Sequence, residues 1–470
     1  MFAVLSRDQV EKIHVATIEI LQRVGVLVDD KDALQLLADA GAQVDYRKRI
    51  ARIPEELVTY GLKQVPNSFT LHSRGKHQYR IGGEREFIST GGGALWMLDL
   101  KSGRHRPSTK KDVEDTSRLV DYLDNIDIYE PMTYLHDVDA SMLDIQATHA
   151  VFRNTSKPCR LLTHESKYLK AIIEMAAIVS GGIDELKKNP IFVGGASPTS
   201  PLMQKSDEIT VTRMLAENSI PNAIMPCPIT GASSPVSVAG TLVTVNAEVI
   251  SLVLIAELTN PGTPLTIGVG GPTIIDMRNA YASMGTPQAA LITAGCIDIA
   301  RYYGLPTWVT AFHTDSLVPD AQAGYESTWN SFFPLMDRAS VMLGAGSLNA
   351  EVVASCEKLI IDNEIVSGLR SLSHGINISD KTLGLEVIES VGPGGHFLAQ
   401  KHTAELFKEE QWLSKMSSRL SLQDWQNHSR DTWQMARDEA LNILSTHQPE
   451  PLETGIDQQL DEYVKMKTDT

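Results

Sequence analysis

Between about Ser108 and His374 the chain alternates short β-branched runs with longer helical stretches. The runs include CRLLTHE, PIFVGGAS, PNAIMPCP, PLTIGVGG, PTWVTAFHTD and SVMLGAG, each continuously apolar over several positions. Such continuity marks strands buried on both faces, as in a parallel sheet covered by helices. Helices such as SDEITVTRMLAENS between them leave two architectures, a closed barrel or a doubly wound open sheet. Most runs end in polar or small residues: Thr163-His164-Glu165, Gly195-Ala196-Ser197, Gly268–Gly271, His313-Thr314-Asp315 and Gly344–Gly346. Barrel enzymes build their sites from these C-terminal edges. No G-x-G-x-x-G follows a first strand with an acidic residue downstream, which disfavours a dinucleotide fold. The expectation is an α/β chain, a (β/α)8 TIM barrel over residues 108–400.

The flanks read differently. Ser6-Arg7-Asp8-Gln9 has the form of a capping box, and Val10, Ile13, Thr17, Ile20 and Val24 recur at helical spacing until Gly25. Two more helices come next, one near 31–40 and one after Pro54. Phe69 to Leu100 turns strand-like and glycine-rich, so residues 1–107 are expected to form helices and a small antiparallel layer over one end of the barrel. Residues 401–470 are charged and helical, with Trp412, Trp425 and Trp433 expected to pack back and the last residues to form a peripheral arm.

The 42 Lys and Arg against 58 Asp and Glu give a formal charge of −16 without a basic cluster. Nucleic acid and anionic membranes are therefore not expected partners. The start, MFAVLSRDQVEKIH, meets charge too soon for a signal peptide, and the apolar stretch near Val249–Leu258 is too short to span a bilayer. Cys159, Cys227, Cys296 and Cys356 lie far apart, which fits reduced thiols in the cytoplasm better than a disulfide frame or zinc site. Neither H-E-x-x-H nor G-x-S-x-G is present, so no metal and no serine nucleophile are expected.

The densest chemistry lies between Trp308 and Glu326, where a strand end runs into a loop and helix holding His313, Asp315, Asp320 and Gln322. Its run from Asp315 through Val318-Pro319-Asp320 to Gln322-Ala323-Gly324 resembles the trimethylamine–corrinoid methyltransferase family. So do Pro198-Thr199-Ser200-Pro201-Leu202, Gly231-Ala232-Ser233-Ser234-Pro235, Tyr303-Gly304-Leu305-Pro306, Gly344-Ala345-Gly346 and Val391-Gly392-Pro393-Gly394-Gly395. These motifs succeed one another in order across most of the chain.

One position departs from the pattern. Where the trimethylamine enzymes carry pyrrolysine this chain carries Phe312, so it resembles the non-pyrrolysine branch that demethylates quaternary amines such as glycine betaine. The resemblance implies transfer of a methyl group to Co(I) of a partner corrinoid protein, with the cobalamin held by that partner and none bound directly. A quaternary ammonium is already cationic and leaves as a neutral amine, so positioning, exclusion of water and charge stabilisation suffice. Positioning alone contributes about 7–11 kcal/mol in favourable cases. Proline betaine, carnitine and γ-butyrobetaine remain alternative donors.

A cage for an N-methylated cation calls for aromatic faces, each worth about 0.5–2 kcal/mol. Phe312, Trp329 and Trp96 are the candidates, with Tyr134, Phe332 and Phe333 behind them, and Asp315, Glu248 and Asp320 supply negative charge. His313, His396 and His164 are candidates to receive a substrate carboxylate. Phe312, His313 and Asp315 are placed at the reacting centre, and Gln322 beside the bound substrate. Gly195, Ser197, Ser233, Ser234, Gly270, Gly344 and Gly346 would leave a smooth mouth for a flat corrinoid ring. A large apolar barrel also favours self-association. Two other readings compete, a quaternary-amine binder without catalysis and a Schiff-base lyase, the latter disfavoured because no lysine stands at the strand ends.

Overall fold

A computed structural model describes residues 2–75, 77–427 and 429–468. Eight parallel segments close into a ring: Phe87–Thr90, 128–129, Cys159–Arg160, Phe192–Ala196, Asn222–Ile224, Leu265–Ile267, Trp308–Thr310 and Val341–Ala345. Closure runs through Val341↔Phe87 and Met342↔Ile88 on one side. Single bridges Ser89↔Ile128, Tyr129↔Cys159 and Ile267↔Thr307 complete the circuit where the strands are shortest. The last strand bulges between Leu343 and Ala345, at the rim where its glycines begin.

The lumen is filled by Phe87, Ile128, Val193, Ala223, Met225, Trp308, Val341 and Leu343. Leu71, Tyr79 and Ile81 join them from an antiparallel hairpin, Phe69–His72 with Gln78–Ile81, which plugs the N-terminal end of the barrel. The hairpin is antiparallel, but Phe87–Thr90 is not part of it. That run is the first barrel strand, so the boundary at 107 cuts through the barrel. Its pairing partner lies more than 250 residues away, beyond the reach of local pattern.

Helices Arg7–Arg23, Lys31–Asp39 and Glu55–Gln64 pack on Val238–Thr259, a helix between the fifth and sixth strands. The capping box at Ser6 and Gln9 forms as its residues dictate. Val238–Thr259 is the one helix among the described residues long and apolar enough to cross a membrane, yet 72% of its most apolar window is buried inside the protein. Its apolar content is explained by contact with helices on several sides.

The barrel ends with helix Cys356–Ser373, not at 400. Trp412 donates to Ser367 Oγ and lies against Gly368, and Trp433 reaches Glu357, while Trp425 stays exposed. Helix Thr454–Thr468 is no loose arm. Leu460 and Val464 bury against Leu143–Asn154 and Leu169–Ser180, and Arg153 binds Asp457 and Asp461.

Candidate active site

The C-terminal ends of the first four strands and of the last two gather charge around a cluster of glycines. Arg160, in the third strand, extends its guanidinium over the ring of Trp308, 5.8 Å from the centroid. Its Nη1 donates to Glu130 Oε2 at 2.6 Å, and its buried Nε has no partner. Thr90, ending the first strand, locks the backbone of Glu130. Its hydroxyl donates to the carbonyl and accepts from the amide, both at 2.8 Å. Burial pushes the Glu130 carboxyl up, against the pull of Arg160.

Gly91, Gly92 and Gly93 pass directly over these groups. A Cβ at Gly92 would lie 2.3 Å from Glu130 Oε1, one at Gly91 3.1 Å from Glu351 Oε1, and one at Gly93 3.4 Å from the Tyr134 hydroxyl. Glu130 and Glu351 therefore face the same short stretch of backbone. Glu351 reaches the mouth from a strained turn, since Asn349, Ala350 and Glu351 all have positive φ (49°, 51° and 67°). Hydrogen bonds from Asn349 N to Ser316 O and from Ala350 N to Thr314 O hold it. Three such residues in a row cost about 1–3 kcal/mol each and persist where the surroundings over-determine them, as at functional sites. His313 Nε2 stands 2.8 Å from Glu351 Oε1, yet both atoms are buried without hydrogen-bond geometry.

Beside the charged centre opens a cavity of about 130 Å³, lined by Gly93, Glu130, Tyr134, Asp144, Leu162 and His164 among others. The Tyr134 and His164 rings meet at 4.4 Å. His164 is fixed by Asp144, which takes its Nδ1 in a short hydrogen bond and its backbone amide at 2.9 Å. Val236, Met277 and Leu317, from the loops after the fifth, sixth and seventh strands, leave apolar side chains exposed on the rim.

Of the residues singled out by sequence, His313 and His164 stand at this mouth and Tyr134 lines its cavity. The expected aromatic cage does not assemble. Phe312 is fully buried with φ 59°, its carbonyl accepting from Ser327 and Lys358, so it presents no face to a ligand. Trp329 donates to Gly285 O and packs on Tyr325. Phe332 and Phe333 pack with Phe2. Trp96 lies on an outer strand, Trp96–Leu98, paired with Val353–Ser355.

The carboxylates divide in the same way. Asp315 accepts from Ser283, Met284 and Gly285 and so pins the sixth loop. Asp320 caps helix Ala321–Met336, and Gln322 donates to Glu326. Glu248 is buried on the outer helix, taking Ser200 Oγ and Leu202 N, and burial pushes it up to about 7. His396 lies in an exposed turn of the C-terminal segment.

The smooth mouth is also revised. Gly270, Gly344 and Gly346 are buried, and a Cβ at Gly344 would meet Ala311 O at 2.1 Å. Ser234 turns inward to Thr241, and Ser233 accepts from Ile229 N. Gly195 faces Leu162 and Arg160, and Ser197 donates to Met225 O, both at the mouth. Sequence reading missed Glu130, Arg160, Asp144 and Glu351. Arg160 carried a signal, a cation within an apolar strand, whereas Glu130 comes after a two-residue strand too short to read.

The profile of the family described as trimethylamine methyltransferase (MTTB) matches residues 1–470. The chain belongs to this family. It is 32% identical over 449 residues to a trimethylamine methyltransferase MttB of Desulfitobacterium hafniense (strain DSM 10664 / DCB-2), covering 95% of this chain and 90% of that one. Over 472 residues it is 31% identical to a glycine betaine methyltransferase of Desulfitobacterium hafniense (strain Y51), covering 99% and 97%. The chain is thus a methyltransferase of the methylamine and betaine group. In fold it is similar to the crystal structure of the Methanosarcina barkeri monomethylamine methyltransferase (MtmB), with TM-score 0.53, 14% identity and 93% of each chain covered.

Proposed function

We propose that this MTTB-family enzyme takes its methyl group from a zwitterionic quaternary amine, with glycine betaine the first choice. One observation carries the reading. At the mouth, the buried carboxylate of Glu130 pairs with a guanidinium whose Nε is unpaired, and the half-buried Glu351 faces the adjoining glycine backbone. An N-methylated cation would settle against the carboxylates while its own carboxylate takes Arg160 Nε, which a simple methylamine cannot do. Charge-assisted contacts in so dry a site are the strong ones. Tyr134 and His164 would flank the bound amine, and Leu162 would help to exclude water. The relative named a glycine betaine methyltransferase supports the same choice.

The acceptor is proposed to be Co(I) of a corrinoid carried by a partner protein, which supplies the nucleophile that takes the methyl group. A flat, largely apolar ring fits the rim, where Val236, Met277 and Leu317 leave apolar surface on three successive loops. This chain's residues then need neither a general base nor a nucleophile of their own. They hold the N–CH3 bond toward the open mouth and stabilise the amine until it leaves neutral. A cytoplasmic location is proposed with this reading, in keeping with the four free cysteines.

The test mixes enzyme, a Co(I) corrinoid protein and each of glycine betaine, proline betaine, carnitine, γ-butyrobetaine and trimethylamine. Loss of Co(I) absorbance with one equivalent of tertiary amine from a betaine supports the reading. Turnover of trimethylamine alone overturns it.

A further inference from the structure

We infer that Lys358 and Asp362 are positioning residues, a buried pair that aims His313 and Glu351 into the mouth. The inference rests on the role given above to Glu351, whose carboxylate receives the donor's ammonium. Lys358 and Asp362 lie one turn apart on helix Cys356–Ser373, and both are fully buried. The Lys358 ammonium donates to both Asp362 oxygens, at 2.5 and 2.6 Å. Burial pulls the ammonium down and pushes the carboxyl up, and each charge holds the other against that pressure.

A pair so deeply buried adds little to stability, since apolar residues of similar volume often replace such a pair without loss. What this one does is fix two strand ends at once. Lys358 Nζ also donates to the carbonyl of Phe312 at 3.3 Å, and Asp362 Oδ2 accepts from the amide of Gly346 at 2.8 Å. Phe312 lies just past the seventh strand with φ 59°, a left-handed backbone that a bulky residue keeps only where its surroundings impose it. Gly346 lies just past the eighth strand and opens the loop that carries the turn of Asn349, Ala350 and Glu351.

His313 follows Phe312 directly. Its ring lies along the backbone of Gly344, where a Cβ would stand 3.1 Å from both Cε1 and Nε2. His313 and Glu351 thus issue from the two ends that the pair holds, and their Nε2 and Oε1 meet at 2.8 Å without hydrogen-bond geometry. Neither atom is satisfied by the other, so both keep a bond for a donor in the mouth. Their aim depends on the backbone that Lys358 and Asp362 fix.

Steady-state kinetics and isotope-edited NMR of the histidine-labelled full chain test the inference. Lys358→Met with Asp362→Asn removes the donor to Phe312 without stranding a buried charge, so the chain should still fold. KM for glycine betaine should rise about tenfold at a kcat within about twofold of wild type, the mark of binding lost before chemistry. Adding Glu351→Gln should raise KM little further, because residues acting through one contact do not add. The imidazole resonances of His313, identified as those lost in His313→Gln, should shift. Lys358→Gln with Asp362→Asn keeps an uncharged N–H donor and should return KM and resonances toward wild type. A KM effect that adds in full to Glu351→Gln, His313 resonances unmoved in the Lys358→Met pair, or a Lys358→Gln pair with KM raised about tenfold would overturn the inference. Should Glu351→Gln alone leave KM unchanged, the betaine reading falls, and the His313 resonances still decide the positioning.

Discussion

Arg160 Nη1 donates to Glu130 Oε2 across 2.6 Å inside the barrel mouth, while Arg160 Nε is left without a partner. A buried pair of this kind is costly to break from one side, because the survivor is an uncompensated charge. Arg160→Met or Glu130→Gln alone should therefore lower unfolding stability by about 3–5 kcal/mol in urea titrations. The double variant should recover most of that loss. A double variant as unstable as the two single changes combined would show that the two do not act as a pair.

Glu351 is held at the mouth by three consecutive left-handed residues. Glu351→Gln removes the charge but keeps the shape, so KM for a betaine should rise about tenfold, equivalent to about 1.4 kcal/mol. Ala350→Gly should relieve about 1 kcal/mol of strain and raise the melting temperature, since glycine adopts positive φ freely. An unchanged KM in Glu351→Gln, measured by initial rates, would remove Glu351 from the site.

Phe312, expected from the sequence to form part of the cation cage, is fully enclosed. Phe312→Ala should cost about 3–5 kcal/mol through the cavity it opens. Phe312→Leu, nearer in volume, should leave KM for a betaine within about twofold, because no ring face is offered to substrate and packing changes below about 1.5 kcal/mol are tolerated. A large rise in KM with normal stability would restore Phe312 to the cage.

Glu248 and Glu257 lie on one buried helix, hydrogen-bonded but, among the described residues, with no cation beside them, and burial pushes both up to about 7. The folded chain thus keeps protons that the unfolded chain releases. Their contribution is fully present below the ordinary carboxyl value and is lost as pH rises through about 7, at most about 3 kcal/mol for each. Urea midpoints should fall between about pH 5 and pH 8, and Glu248→Gln with Glu257→Gln should flatten that slope. A slope unchanged in the double variant would assign it to other groups.

The barrel was legible because six of its strands are apolar runs bounded by helices, and burial on both faces writes that pattern locally. Phe87–Thr90 was not, since its strand character is the same whether it joins a hairpin or pairs with Val341–Ala345. His164 and His313 were found by their place at strand ends. Glu130 and Glu351 were hidden, because the first comes after a two-residue segment and the second depends on a turn whose strain only tertiary bonds sustain. Trp329 and Phe332 misled for the opposite reason. Their type suited a cation, but their helical spacing directs them to Gly285 O and Phe2.

The central claim, that the mouth selects a zwitterion through Arg160, is tested most directly by calorimetry without any corrinoid. Wild-type enzyme should bind glycine betaine at least about tenfold tighter than choline, a difference of about 1.4 kcal/mol. The Glu130→Gln, Arg160→Met double variant should bind the two alike. Choline bound as tightly by the wild type, or a betaine preference that survives in the double variant, would contradict the account.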